Sequence, residues 1–261
     1  MRADVYLHTF GYLKSRQNAK VLIESGNLLI DGYKITKPSQ NIDETLPHKV
    51  EILDRPRFVS RGGEKLAFAL LEFDINVQGC DCIDIGASTG GFTDCLLQNG
   101  ANSVYAVDSG HSQLDSKISD DIRVTSIEKY NAKFMQKDDF PHLFDLAVMD
   151  VSFISQTLIH PNVSSVLKNG GAFITLIKPQ FECGRSALNS KGIVKSPAHH
   201  ANALTKVIDS ALINGFSCID ITRSPIEGGS GNTEFLACFI KSDSPQIMVS
   251  TEKIKRITQS K

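Results

Sequence analysis

Two lysines and two acids in this 261-residue chain have the types needed to take a proton from a weakly acidic hydroxyl: Lys65, Asp150, Lys178 and Glu234. Asp150 closes the apolar run Phe144–Met149, and Lys178 closes the run Gly171–Ile177. A lysine directly after buried apolar residues is costly unless it is paired or functional. Lys65 follows Ser60-Arg61-Gly62-Gly63, and Glu234 follows the glycine-rich stretch Glu227–Thr233. Taken singly, Lys65 reads as an exposed helical lysine, Lys178 as a solvated strand-edge residue and Glu234 as a strand-start acid facing water. Two acids and two lysines converging on one sheet edge shift those odds toward an acid–base set, and the hypothesis is that Lys178 accepts the proton while the carboxylates orient the amines. An ammonium cannot accept a proton. Burial, the neighbouring Lys65 and a bound cation must favour the neutral amine against the pull of Asp150 and Glu234.

A second constellation is Cys82-Ile83-Asp84-Ile85-Gly86-Ala87-Ser88-Thr89-Gly90-Gly91-Phe92-Thr93-Asp94. An apolar strand ends, a loop of small residues follows, and a helix begins. Glycines at 86, 90 and 91 let the backbone approach a ligand closely, and the helix start favours a carboxylate. A dinucleotide site wants GxGxxG with room for a pyrophosphate. The order here is GxxxGG, which suits an adenosyl ligand with an amino-acid tail and no phosphates. Asp108 ends the next strand, Val104–Val107, where an acid can accept both ribose hydroxyls.

These residues need a sheet to position them. Strands are predicted at 81–85, 103–107, 122–125, 144–149, 171–177, 216–222 and 234–240, and helices at 63–74, 91–99, 155–168 and 197–213. Alternation of this kind predicts a mainly parallel, doubly wound sheet. A glycine-rich loop joins the last two strands without a helix, so the final strand is predicted antiparallel. The fold class is therefore α/β: a Rossmann-like, seven-stranded methyltransferase-type domain rather than a dehydrogenase.

Residues 1–54 read differently. Val5, Leu7, Phe10 and Leu13 give a helix over 4–14, and a second runs from Ser15 or Arg16 to near Gly26. Asp31-Gly32 between apolar runs signals a hairpin, and Val50–Leu53 is a last short strand. The expected organisation is a small α+β domain at 1–54, a linker at 55–59, the α/β domain at 60–245 and a tail at 246–261. Lys14, Arg16 and Lys20 flank the turn between the first helices, with Arg2, Lys34 and Lys37 near and Arg61 extending the strip. Such a cluster can contact phosphates, although so few charges often form only a solvated face. Residues 1–60 hold nine Lys/Arg against seven Asp/Glu, and the whole chain carries a net charge of −1. Overall charge therefore does not decide whether nucleic acid binds.

No apolar run reaches the ~18–20 residues of a membrane helix, and Met1–Tyr6 does not resemble a signal peptide. The six cysteines form no CxxC pair, which argues for buried reduced thiols, a cytoplasmic location and no bound metal.

Ser60-Arg61-Gly62-Gly63, Asp84–Asp94, Asp150–Ser155, Lys178–Glu182 and Gly231–Phe235 occur in order along the chain. Together they resemble the TlyA family of ribosomal-RNA 2′-O-methyltransferases, some of which carry the hemolysin name. Residues 1–53 resemble that family's S4-like RNA-binding domain, and the remainder resembles FtsJ-type methyltransferases. The resemblance implies a Lys-Asp-Lys-Glu tetrad at Lys65, Asp150, Lys178 and Glu234. It implies S-adenosylmethionine as cofactor, contacted by Asp84, Gly86, Ala87, Ser88, Thr89, Gly90, Gly91, Phe92, Asp108, Asn131 and Asp150. It also implies methyl transfer to ribose 2′-hydroxyls, at cytidines of 16S and/or 23S rRNA, with ribosomal RNA or ribosomal subunits as partners and no membrane. Ala3 stands where the family usually has Leu. Ser109-Gly110-His111 replaces its usual Val-Gly-Tyr/Gly, which bears on the adenosine contacts. Three rival readings are a cytolysin, a non-catalytic binding module and a nicotinamide oxidoreductase. They are disfavoured respectively by the lack of a membrane segment or closable amphipathic sheet, by the complete tetrad and by GxxxGG.

Overall fold

The computed structural model describes residues 1–13, 15–24, 26–53 and 57–259. Lys14 of the expected basic cluster lies outside the described residues, as do Arg55 and the first part of the expected linker.

Near the N-terminus, α1 (Ala3–Thr9) and α2 (Arg16–Glu24) pack on a three-stranded sheet of order β2-β1-β3. Its strands are β1 (Leu28–Ile30), β2 (Tyr33–Lys34) and β3 (Val50–Ile52), all paired antiparallel. Asp31 and Gly32 both have positive φ, 53° and 79°, as a two-residue type I′ hairpin requires. Leu7, Leu22, Ile23 and Leu28 form the small core. The first helix is shorter than its 4–14 apolar pattern. Gly11 adopts φ +77° two residues past Thr9, a left-handed C-terminal stop. Leu13 still packs against the core, because its N–H turns back to Leu7 O at 3.0 Å.

The large sheet has the order β6-β5-β4-β7-β8-β10-β9, seven strands among the described residues. They are β4 (Asp81–Ile85), β5 (Ser103–Val107), β6 (Val124–Ile127), β7 (Phe144–Met149), β8 (Leu167–Ile177), β9 (Phe216–Arg223) and β10 (Phe235–Lys241). Pairing is parallel from β6 through β8. β10 inserts antiparallel between β8 and β9, as the helix-free connection predicted. One face buries Phe144, Phe173, Phe216 and Phe239 under α6 (His160–Val166) and α8 (Pro197–Ile213). The other buries Leu66, Leu70, Phe92 and Leu96 from α3 (Arg61–Glu72) and α4 (Gly91–Gln98). The predicted helix at 155–168 is a 3₁₀ turn at Gln156–Leu158 followed by α6. Pro161 sits in the first turn of α6, where its missing N–H costs nothing. Two short helices, α5 (Ser116–Ser119) and α7 (Pro179–Glu182), complete the site's surroundings. The stretch 246–261, for which no element was predicted, contains α9 (Thr251–Gln259), and its Ile254 and Ile257 pack on the core.

Candidate active site

Register places the chemistry. Ile85 pairs with Val107 on one side and Met149 on the other. One residue further along lie Gly86, Asp108 and Asp150, side by side at the carboxyl edge of the sheet. Phe235 pairs with Ile177 in antiparallel register, so Glu234 and Lys178 meet one step beyond. The five strand ends thus bring a glycine turn, three acids and a lysine to one line.

Gly86 has φ +85°, and a Cβ there would lie 2.7 Å from Asp150 O. Any side chain would push the β4 and β7 ends apart. At Gly91 a Cβ would lie 2.0 Å from Ser60 Oγ, so the start of α4 is pressed against the segment that leads into α3. Asp108 Oδ2 accepts from Ser88 N at 2.8 Å and Oδ1 from Gly110 N at 2.7 Å. Each carboxylate oxygen keeps acceptor capacity for a further donor. Asp84 is wholly buried below the loop. Its Oδ2 accepts from Thr93 Oγ1 at 2.6 Å, while Oδ1 accepts no hydrogen bond. Burial pushes this carboxyl up to about 7; Thr93 opposes the rise and Asp150 adds to it.

Two adjoining cavities open on this edge. One, of about 360 Å3, is lined by Gly86, Ser88, Asp108, Asn131, Asp150 and Phe153, among others. The second, of about 180 Å3, is lined by Ser60, Gly86 to Thr89, Gly91, Phe92, Asp150, Ser152 and Lys178, with Gly62. Their volumes suit a small organic ligand and one inserted group. Of the cofactor-contact residues expected from sequence, Asp84 and Gly90 line neither cavity. Asp84 lies beneath the loop, and Gly90 faces Leu114 and Ile118.

The tetrad residues occur as two ion pairs. Lys178 Nζ lies 2.6 Å from Asp150 Oδ1 and donates to Ser152 Oγ at 2.7 Å. Lys65 Nζ donates to Glu234 Oε2 at 2.5 Å, with both residues buried, 7% and 3% exposed. The first pair lines the smaller cavity. The second lies outside the linings and ties α3 to the start of β10. Each lysine is therefore matched to its own carboxylate, where like-charge crowding of the two lysines was expected. Ser152 and Phe153 had no assigned role from sequence. Their signal is only their place directly after the strand acid. Phe153 adopts φ +65°, is 92% exposed, and packs its ring 5.3 Å from that of Phe181.

The basic cluster is partly structural. Asp4 is fully buried and accepts from Arg2 Nε at 2.8 Å and Arg16 Nη2 at 3.1 Å. The Arg2 hydrogen bond, helped by Arg16, holds its carboxyl down at about 2 despite burial. Lys34 and Lys37 are exposed and Lys20 is half-buried. Arg61 Nε approaches Glu24 Oε2 at 3.7 Å, linking α3 to α2.

A seven-stranded sheet with an antiparallel strand inserted beside its last parallel one, carrying a GxxxGG loop after its first strand, defines a Rossmann-like methyltransferase. Residues 58–241 match the family model of FtsJ-like methyltransferases, and residues 1–45 match that of the S4 domain. The chain is 44% identical to Hemolysin A of Brachyspira hyodysenteriae over 241 residues, 92% of this chain and all of that protein. It is 37% identical to the 16S/23S rRNA (cytidine-2′-O)-methyltransferase TlyA of Mycobacterium tuberculosis, over 90% of this chain and 87% of that one. A solved structure of a Streptococcus thermophilus protein bearing the hemolysin name superimposes with a TM-score of 0.80 at 42% identity, covering 99% of this chain and 94% of that one. The chain belongs to the FtsJ-like methyltransferase family and carries an S4 domain ahead of the catalytic fold.

Proposed function

We propose that this enzyme methylates ribose 2′-hydroxyls of ribosomal RNA, at cytidines of 16S and/or 23S rRNA, in the cytoplasm. The observation that carries this reading is the Lys178–Asp150 pair lining the same cavity as the Gly86–Gly91 loop. S-adenosylmethionine, the methyl donor of the family, supplies a sulfonium-bound methyl already activated toward attack. The site fits it. Gly86 leaves room beside Asp150, Asp108 can accept ribose hydroxyls, and no phosphate cradle is needed.

The remaining work belongs to the protein. A ribose hydroxyl is a poor nucleophile, so its oxygen must be aligned and its proton removed. Once Lys178 is the neutral amine, a form that a bound sulfonium cation would favour, its Nζ would take the proton of the hydroxyl being methylated. Asp150 and Ser152 aim that nitrogen. Lys65 and Glu234 brace the edge from beneath. The exposed ring of Phe153 offers a face on which an unstacked base can rest. The S4 domain holds RNA through Lys20, Lys34 and Lys37, with Arg2 and Arg16 shared between RNA and Asp4. The proposed boundaries are 1–54 for this domain, 55–59 for the linker and 60–245 for the catalytic domain.

The test uses S-adenosylmethionine labelled on its methyl group, with unmethylated 16S and 23S rRNA, naked and as subunits. Label on a ribose 2′-oxygen, lost at least 100-fold in Lys178→Ala while cofactor affinity stays within a few-fold, is the expected result. Label on a base, or undiminished turnover in that variant, overturns the assignment of Lys178.

A further inference from the structure

Glu182 ends α7, four residues past Lys178, and nothing above gives it a task. Its side chain is 2% exposed. A buried carboxylate is costly unless fully paired, and this one is. Oε2 accepts from Ser155 Oγ at 2.5 Å, Oε1 from Gln156 N at 2.9 Å, and Lys206 Nζ approaches Oε2 at 3.3 Å. Lys206 comes from α8 and also donates to Glu182 O at 3.1 Å. Gln156 is itself buried and accepts from Thr175 Oγ1 of β8 at 2.8 Å.

Every donor except Lys206 lies in the loop that follows β7. That loop starts at Asp150, carries Ser152 and Phe153 on the cavity wall, and is pinned at Ser155–Gln156. A further fastening is the Phe153–Phe181 ring contact, which reaches the same short helix. Lys178 directly precedes that helix, at its N-terminal end. One carboxylate therefore joins the two strand ends that hold Asp150 and Lys178. We propose that Glu182 is a positioning residue: with Lys206 it clamps the loop 151–156 onto α7, and so sets Ser152 and Asp150 against Lys178 Nζ. This rests on the reading of Lys178 and Asp150 as the acting pair.

The test compares the full-length protein with Glu182→Gln, Lys206→Met and the double variant. Glu182→Gln keeps shape and an acceptor but presents an amide to Lys206. The expected result is kcat down 10- to 100-fold, with KM for rRNA and affinity for S-adenosylmethionine within about twofold. Removing the stranded cation in Glu182→Gln/Lys206→Met restores kcat to within about fivefold of the parent. A second readout needs no turnover: the rate at which formaldehyde and borohydride methylate the Lys178 amine, followed by mass spectrometry. It rises several-fold in Glu182→Gln and returns toward the parent value in the double variant. A folded Glu182→Gln with unchanged kcat and unchanged Lys178 labelling overturns the proposal, as does a uniform loss of cofactor affinity and kcat together. Should the parent methylate no RNA, the functional reading fails. The labelling rates still decide whether Glu182 positions Lys178.

Discussion

Burial of Asp84 has a cost that depends on pH. Its folded carboxyl titrates near 7, against an ordinary 3.8, because burial disfavours the charged form. The folded state therefore binds the proton more tightly than the unfolded chain between these values. Stability falls as pH rises from about 4 to about 7 and is level above that, a change on the order of 4 kcal/mol from this residue. Asp84→Asn should flatten that slope, which thermal unfolding at pH 5 and pH 7.5 would show. Phe153 poses the opposite case, a ring held exposed on an unfavourable backbone. If a base rests on it, Phe153→Ala should cut turnover roughly tenfold, the ~1–3 kcal/mol of one stacked base. The melting temperature should hardly move, since so little of the ring is buried. Turnover equal to the parent would remove the stacking role.

At the level of elements, α1 and α2 are joined by charge as well as by their core. Arg2 precedes α1 and Arg16 begins α2, and both close on Asp4. A carboxyl depressed to about 2 in the folded state contributes stability above pH 4, and that contribution is lost as pH falls toward 2. Asp4→Asn should thus destabilise the N-terminal domain at pH 7 and make little difference at pH 2, read from urea midpoints at each pH. Arg16→Ala would confound folding with RNA binding. Lys20, Lys34 and Lys37 allow the cleaner experiment. Their joint replacement by Ala should weaken RNA binding and lower the salt slope by about two to three, near one for each phosphate no longer neutralised. This division could not be read from sequence. Asp4 looks like a surface acid until the fold buries it. The strands were legible because apolar runs leading into Gly86, Asp108, Asp150 and Lys178 carry the pattern of a sheet covered on both faces. The predicted strand 122–125 slips to 124–127 because Ile122 is fully exposed in the turn before it. Two acids and two lysines could be named from their motifs. Which acid meets which lysine could not, since Lys65 and Glu234 are 169 residues apart. Glu182 was visible only as a letter in a motif, because its three donors come from loop geometry and a distant helix.

Across the whole molecule, Arg61 stands between the domains, 3.7 Å from Glu24 and close to the loop before Glu234. A half-exposed pair at that distance contributes under about 1 kcal/mol. Arg61→Ala should leave the melting temperature nearly unchanged and lower rRNA affinity, as filter binding at two salt concentrations would measure. A drop of many degrees would instead mean that Arg61 holds the domains together.

The insertion of β10 between β8 and β9 sets an order of assembly. During synthesis the S4 domain is made ahead of the catalytic fold, and domains fold as they emerge. The glycine loop and the Lys178–Asp150 pair follow. The sheet cannot close until β10, the last of its seven strands in chain order, has threaded between two strands already made. Until then Lys65 has no Glu234, and a cation destined for burial stays unpaired. The Lys65–Glu234 pair, and with it the finished edge of the sheet, can therefore form only once β10 has been made.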